Sequence, residues 1–190
     1  MNAPFPTHGD LVIYDLEFTA WAGSAESKWT RPGEYMEVVQ IGAVRVDPSD
    51  GLREKDQLSI YSHPIRNPQL SGYFIDLTGI TQAQLDAEGL SYKEALDAFL
   101  TFGAGAVAWI ANGWDFEVIK KNCTLHGLPV PDLPIHDVSH WLAAAVSRSG
   151  HVDSNTFGSI LDLPKEGPAH DGLADARMIA AALRKLLGFA

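Results

Sequence analysis

The sequence predicts an α/β protein in which a mixed five-stranded sheet is flanked by helices in three layers. Three observations predict it. Three strand-like segments with short connections come first, helix-like and strand-like segments then alternate, and hydrophobic residues make up 46% of the 190-residue chain. Short connections favour antiparallel pairing, and the later alternation implies a mixed sheet covered by helices. The length suits one domain, expected over 1–190 with a core at about 10–187.

The first three strands are predicted from their β-branched and aromatic residues. The first covers residues 11–19, and two more cover 37–47 and 57–65. A turn at 48–51, "PSDG", separates the second from the third. Residues 20–35 between the first two strands are polar and marked by Gly and Pro, so a loop is expected there.

The second half of the chain alternates helices with strands. A helix over 91–102 is favoured by Ser91 at its start and Glu94 three residues later, a capping-box pattern. The segment 105–112 is apolar throughout, which predicts a central strand, and 133–138 is a short fifth strand. Short helices and loops are expected at 67–89, and further helices at 114–127, 139–147, 154–161 and 171–187.

Charge and composition limit the classes of partner and site. With 24 acidic and 14 basic side chains, the net charge is −10, which disfavours long-range attraction of a polyanion. A metal-filled acidic site would weaken that objection. The single cysteine excludes an internal disulfide and a multi-cysteine zinc site. There is neither an apolar run of roughly 18 residues nor a secretory signal, so a soluble cytoplasmic protein with no membrane partner is expected.

Two carboxylates interrupt the first strand, "LVIYDLEFTAW". Residues two apart in a strand face the same side, so Asp15 and Glu17 are expected to project together, with Ile13 and Thr19. Like charges this close repel strongly unless a cation or water compensates. The alternative is an exposed strand end at which water solvates both carboxylates.

A third carboxylate, Asp115, follows the apolar segment 105–112 and opens a helix. Ligands of open α/β sheets bind at the carboxyl ends of strands. Asp115 also lies three and four residues before Val118 and Ile119, on the helix's apolar stripe. The alternative is an ordinary first-turn acid, favoured there by the helix dipole.

The fourth carboxylate, Asp175, shares helical spacing with Ile179, Ala182 and Leu186, so it is expected to point inward. His170 lies five residues earlier, near the helix start. Alone, these would be a first-turn acid and a surface histidine. Together, the separate segments favour a cluster of carboxylates suited to Mg²⁺ or Mn²⁺, with a histidine suited to taking a proton from water.

Three motifs, "DLEFT", "NGWDFEVI" and "HDGLADA", occur in the order that resembles the DEDDh 3′-to-5′ exonucleases of the RNase H-like fold. Residues 63–82 and the strand 37–47 resemble the Eri-type subgroup, which includes histone-mRNA 3′-end exonucleases. The resemblance covers about 10–187. The second motif departs from the commonest "HNxxFD" form and is closer to the Eri-type "SWGD".

The resemblance implies a role for each site residue. Asp15, Glu17, Asp115 and Asp175 would bind two divalent cations, Mg²⁺ or Mn²⁺, and His170 would be the general base. One metal would activate the attacking water and the other would stabilise the leaving 3′-oxygen. The resemblance also implies substrate contacts by Phe18, Thr19, Gly79 and Ile80. Trp21 and Trp114 adjoin the motifs and are expected to stack on bases, with ordinary packing as the alternative, and Lys165, shortly before His170, is expected to contact the nucleic-acid backbone. His140 and His151 have no ligand-like spacing and are expected to be structural or surface residues.

The expected function is metal-dependent hydrolysis of single-stranded RNA or DNA from its 3′ end, with release of nucleoside 5′-monophosphates. Two alternatives stay open. The acidic composition and the lack of a basic groove favour a non-catalytic interaction module, or a phosphohydrolase of very short oligonucleotides. The apolar last helix leaves a homodimer open.

Overall fold

A computed structural model describes residues 3–189 and contains one five-stranded sheet. The strands are β1 (Leu11–Phe18), β2 (Val38–Asp47), β3 (Arg53–Tyr61), β4 (Ala108–Ala111) and β5 (Ile135–Asp137). Their order is β3-β2-β1-β4-β5. The first three pair antiparallel, whereas β1–β4 and β4–β5 pair parallel, which confirms the predicted mixed sheet. The centre is β1, and β4, which was predicted to be central, lies between β1 and β5.

Eight α-helices accompany the sheet within the described range. They are α1 (Ser24–Ser27), α2 (Gly72–Thr78), α3 (Gln82–Glu88), α4 (Tyr92–Phe102), α5 (Asp115–Leu125), α6 (Ser139–Ala145), α7 (Phe157–Leu161) and α8 (Gly172–Leu187). The capping box predicted for α4 is present, since Ser91 and Glu94 exchange hydrogen bonds. The expected loop 20–35 contains the one-turn helix α1. In residues 3–189 no helix combines the length and apolarity needed to cross a bilayer.

The third strand lies four residues earlier than predicted. The first five residues of β3 are exposed, because β3 is an edge strand. Hydrophobic alternation therefore does not mark the start of this strand. After β3, the buried carboxylate of Glu37 accepts N–H groups from Ile65, Arg66 and Asn67 at 2.6–3.1 Å, which draws this segment away from the sheet. Pro64, which has no N–H to donate, also disfavours a longer strand.

The two faces of β1 belong to different layers. Val12, Tyr14 and Leu16 pack in a core with residues of α4 and α5. Leu11 and Ile13 pack in a second core with residues of α6, α7 and α8. The alternation places the side chains of the next odd-numbered residues, Asp15 and Glu17, on the α8 side, at the carboxyl end of the strand.

Candidate active site

The first two site carboxylates lie on the central strand β1, which pairs with β2 on one side and β4 on the other. Glu17 is buried and Asp15 half-buried. Burial is the main cause that raises the pKa of both carboxyls well above the usual range. Repulsion by the carboxylates of Asp115 and Asp175 raises both pKa values further.

Asp115 begins α5 and is buried against the end of β1. Its Oδ1 accepts the backbone N–H of Leu16 at 3.1 Å, which ties the start of α5 to the strand that carries Asp15 and Glu17. Burial raises the pKa of Asp115 to about 6, and the hydrogen bond from Leu16 opposes this shift. The N–H of Leu16 thus holds the carboxylate in place.

Asp175 lies in the first turn of α8 and is also buried. Its Oδ2 accepts the backbone N–H of His170 at 3.1 Å. Burial is the main cause that raises the pKa of Asp175 to about 7, and nearby acids such as Asp171 contribute. The Asp175 carboxylate therefore lies close enough to the other acids for their charges to raise its pKa.

Gln40 and Asp171, which sequence reasoning missed, position the start of α8. The Oε1 atom of buried Gln40 accepts the N–H of Gly172 at 2.8 Å, and its Nε2 donates to Asp171 Oδ2 at 3.0 Å. Asp171 also caps the helix by accepting the N–H of Ala174. The available signal was Gln40 itself, a polar residue within the apolar strand β2.

His170 lies immediately before α8 and is half-buried. Its φ of 58° is left-handed, and its Nε2 lies 3.4 Å from the Asn155 side-chain nitrogen. Glu17 and Asp175 each have a carboxylate oxygen, and His170 a ring nitrogen, that lie within 4.8 Å of one another. The three side chains are therefore close enough to share one metal ion.

All five predicted site residues line one cleft of about 750 Å³. Phe18, Trp21 and Trp114 line it as well, together with Trp29, Tyr73 and Leu77, which form its aromatic and apolar part. In the described part of the chain no Lys or Arg lines this cleft. A divalent cation fits this donor set, because carboxylate oxygens and an imidazole are present and the described lining includes no Lys or Arg.

Four residues expected at the substrate lie elsewhere. Thr19 is buried, and its hydroxyl donates to the Tyr35 carbonyl at 2.5 Å instead of facing the cleft. Ile80 is buried in a small core with Phe74 and Leu85, and Gly79 ends α2 with a φ of 76°. Lys165 is exposed and does not line the cleft. Residues Tyr73 and Leu77 of α2 occupy the position expected for Gly79 and Ile80.

A sequence profile describing an exonuclease family, RNase_T, matches residues 12–183. The chain belongs to this exonuclease family. Similar proteins include the 3′-5′ exonuclease Snipper of Drosophila melanogaster, 26% identical over 93% of this chain and 69% of that protein. ERI1 exoribonuclease 2 of Danio rerio is 27% identical over 93% of this chain but only 35% of its own length. The 3′-5′ exonuclease crn-4 of Caenorhabditis elegans is 24% identical over 98% of this chain and 64% of that protein.

Solved structures confirm the fold of this exonuclease-family chain. The nuclease domain of 3′hExo, a DEDDh family member bound to rAMP, superposes with a TM-score of 0.80 at 22% identity, over 95% of this chain and 92% of that one. A 3′-exonuclease that recognises the 3′ end of the histone mRNA stem-loop gives 0.82 at 21% identity, over 99% and 67%. The resemblance to DEDDh and Eri-type exonucleases is therefore confirmed, together with the three-layer RNase H-like fold.

The cleft of the exonuclease-family domain also contains two histidines that were expected to be structural or surface residues. His140 and His151 both line it, as do Asp137 and Asp153. Asp137 ends the parallel strand β5, and His140 lies in the first turn of α6 that follows. The rule that ligands bind at carboxyl ends of parallel strands was the signal available for Asp137 and His140. His151 lies in a loop that no local pattern marks.

Proposed function

We propose that the chain is a metal-dependent 3′-to-5′ exonuclease that hydrolyses single-stranded RNA or DNA and releases nucleoside 5′-monophosphates. The observation that carries this proposal is the convergence of four carboxylates and His170, from three separate chain segments, on one cleft. Two of the similar proteins are named 3′-5′ exonucleases, which supports the reaction class.

The metal-binding part of the proposal assigns Mg²⁺ or Mn²⁺ to two positions. Glu17, His170 and Asp175 are near enough to one another to hold one ion, and Asp15 and Asp115 add oxygen ligands beside them. Bound divalent ions supply activation of the attacking water and stabilisation of the leaving oxygen. In this proposal the carboxylates hold the ions, and His170, whose ring lies within 4.8 Å of ligand atoms of Glu17 and Asp175, accepts the proton of that water.

The substrate part of the proposal assigns the terminal base to the aromatic side of the cleft. Trp114 is 61% exposed although it is a large aromatic side chain, and Phe18 and Trp21 line the same cleft. Bases of single strands stack on such side chains with little sequence preference. The Phe18 ring is held by Trp29, whose ring centroid lies 5.3 Å away and whose Nε1 donates to the Thr19 carbonyl. Thr19 and Trp29 thus hold the Phe18 ring in its position at the cleft.

A substrate panel tests the proposal directly. Single-stranded RNA and DNA 20-mers with a 5′ label are incubated with Mg²⁺, Mn²⁺ or EDTA, and the products are separated by length. Stepwise shortening from the 3′ end with mononucleotide release is expected only with metal. Asp175→Asn should slow degradation by about a hundredfold or more, because a metal ligand is lost. Asp132→Asn, at an exposed site outside the cleft, is the matched control.

The same panel separates the two alternatives. A net charge of −10 favours very short substrates, so dinucleotides are included beside the 20-mers. Faster cleavage of dinucleotides would favour a phosphohydrolase of short oligonucleotides. Intact substrates in both metals would favour a non-catalytic module, especially if calorimetry also detected no binding of Mg²⁺ or Mn²⁺.

A single exonuclease domain over 1–190, the cytoplasmic location and a homodimer stay predictions. Most of α8 is buried against the sheet and α7, so this helix does not offer a broad apolar face to a second copy. Light scattering of the purified protein measures the oligomeric state, and fluorescence microscopy of a tagged chain measures the location.

A further inference from the structure

The cleft continues into a second concavity of about 230 Å³. His151 and Asp153 line both, so the two hollows share a wall. Arg148, Ser149 and Thr156 line only the second one. We use the name Arg148 groove for the surface formed by Arg148, Ser149, His151, Asp153 and Thr156.

The Arg148 groove supplies the positive charge that the cleft lacks. Arg148 is exposed, and within residues 3–189 no acid forms an ion pair with its guanidinium. The Asp153 carboxylate is directed to His151, with 3.5 Å between Asp153 Oδ1 and His151 Nε2. This contact raises the pKa of His151 and lowers the pKa of Asp153. The guanidinium is therefore available to a ligand, and Ser149 adds a hydroxyl donor.

A tether from the sheet holds the groove beside the carboxylates. Asn112 follows β4 and is buried, and its Nδ2 donates to the Val152 carbonyl at 2.9 Å and to Ser154 Oγ at 3.2 Å. At the other end, the N–H of Arg148 donates to the carbonyl of Ala143 in α6 at 2.8 Å. The segment that carries the groove is thus attached to α6 at Arg148 and to the end of β4 at Val152 and Ser154.

The positions of the groove, the acids and the aromatic side chains indicate a direction for the strand. The aromatic part of the cleft accommodates the terminal nucleoside, and the carboxylates surround the scissile phosphate. In that placement the retained strand can leave past His151 and Asp153, which line both the cleft and the Arg148 groove. Guanidinium groups bind phosphates with paired, charge-assisted hydrogen bonds.

We propose that the Arg148 groove binds a backbone phosphodiester of the retained strand, upstream of the scissile bond. The inference rests on the proposed exonuclease function. It places the first upstream phosphate contact on Arg148, with the Ser149 hydroxyl beside it, and it explains how a chain of net charge −10 holds a polyanion near its acids.

Two substrates distinguish the upstream phosphate contact of Arg148 from hydrolysis of the scissile bond. Thymidine 5′-monophosphate p-nitrophenyl ester contains a scissile phosphodiester but no upstream phosphate, whereas a DNA 10-mer contains both. Arg148→Ala should lower kcat/KM for the 10-mer by about tenfold, the size expected for a lost charged hydrogen bond. It should leave cleavage of the ester within about twofold. The loss should fall mainly on KM, and Arg148→Lys should recover part of it.

Salt dependence gives a second readout. The slope of log kcat/KM against log salt for the 10-mer should become less steep by about 0.7 in Arg148→Ala, the value for one lost phosphate contact on a single strand. Arg53→Ala removes the same side chain from the exposed edge strand β3 and should leave the slope unchanged.

The outcomes separate this inference from the proposed function. A wild-type protein that cleaves neither substrate would overturn the exonuclease proposal itself. A wild-type protein that cleaves both, with Arg148→Ala equal to it on the 10-mer, would overturn the Arg148 groove alone. Equal losses on both substrates would also overturn the groove, since an upstream contact cannot act on the ester.

Discussion

Gly42 of β2 and Gly172 of α8 meet backbone to backbone. A Cβ atom on Gly42 would lie 2.0 Å from the carbonyl carbon of Gly172, a distance that no packed pair of atoms tolerates. A Cβ atom on Gly172 would lie 3.0 Å from the carbonyl oxygen of Asp15. The two glycines therefore let the start of α8 rest on the sheet, and this contact sets how close Asp175 comes to Asp15 and Glu17.

Gly42→Ala should displace the start of α8 and weaken metal binding. The contact is with backbone atoms, which cannot rotate away, so overpacking should lower the free energy of unfolding by about 3 kcal/mol. Urea denaturation measures the stability, and calorimetry measures Mn²⁺ affinity. Gly72→Ala is the matched control, because nothing lies within 4 Å of its added Cβ atom. Wild-type stability and Mn²⁺ affinity in Gly42→Ala would contradict the argument.

The metal-free protein should lose stability as the pH rises from about 5 to 8. Folding raises the pKa of Asp115 to about 6 and that of Asp175 to about 7, above roughly 3.9 for an unfolded aspartate. Between these values the folded state binds more protons than the unfolded state. The stabilisation is complete below about pH 4 and is lost as the pH rises through 6 to 7, on the order of 3 kcal/mol for Asp115 and 4 kcal/mol for Asp175.

Urea denaturation in EDTA at several pH values between 5 and 8 measures this dependence. Asp175→Asn should flatten the profile, because one of the carboxyls whose pKa is raised by folding is gone. Saturating Mn²⁺ should reverse the trend, since metal binds the deprotonated carboxylates. A metal-free protein that became more stable across this range would contradict the raised pKa values.

His170→Asn should lower kcat by about a hundredfold or more, the usual contribution of a general base. Asparagine is the chosen replacement because it tolerates the left-handed backbone that His170 adopts, with φ of 58°. Single-turnover rates measure the chemical step, and Mn²⁺ calorimetry follows the site. His8→Asn, at an exposed residue that does not line the cleft, controls for the substitution itself.

The metal measurement separates two roles for His170. Unchanged Mn²⁺ affinity with a reduced rate supports the general base. A parallel loss of affinity would make His170 a metal ligand, which its closeness to Glu17 and Asp175 also allows. A fully active His170→Asn would exclude both roles.

Trp114→Ala should raise KM for single-stranded substrates with little effect on folding. Stacking on one base contributes about 1–3 kcal/mol, which corresponds to roughly a fivefold to a hundredfold change. The ring is 61% exposed, so its removal costs little core packing. Trp114→Phe should keep most of the affinity. A steep fall in melting temperature with unchanged KM would show that the ring is structural.

Local patterns predicted the elements of this fold because they depend on neighbours in the sequence. The alternation in β1 placed Asp15 and Glu17 on one side, and Ser91 with Glu94 marked the start of α4. The boundaries of β3 were wrong because an edge strand needs no apolar face, so solvent exposure removed the pattern. The sequence therefore identifies the motif residues, but it does not show how close they lie to one another in space.

The sequence alone determined the fold class, the family resemblance and the acids and histidine of the motifs. Only the tertiary structure decided which side chains share the cleft. Asp115 reaches Leu16 across 99 residues, and Gln40 reaches Gly172 across 132. It also buried Thr19 and brought His151 to the cleft and Arg148 to the adjoining hollow. Such contacts depend on how the helices pack against the sheet. The periodicity of one segment does not indicate how far its residues lie from those of another segment.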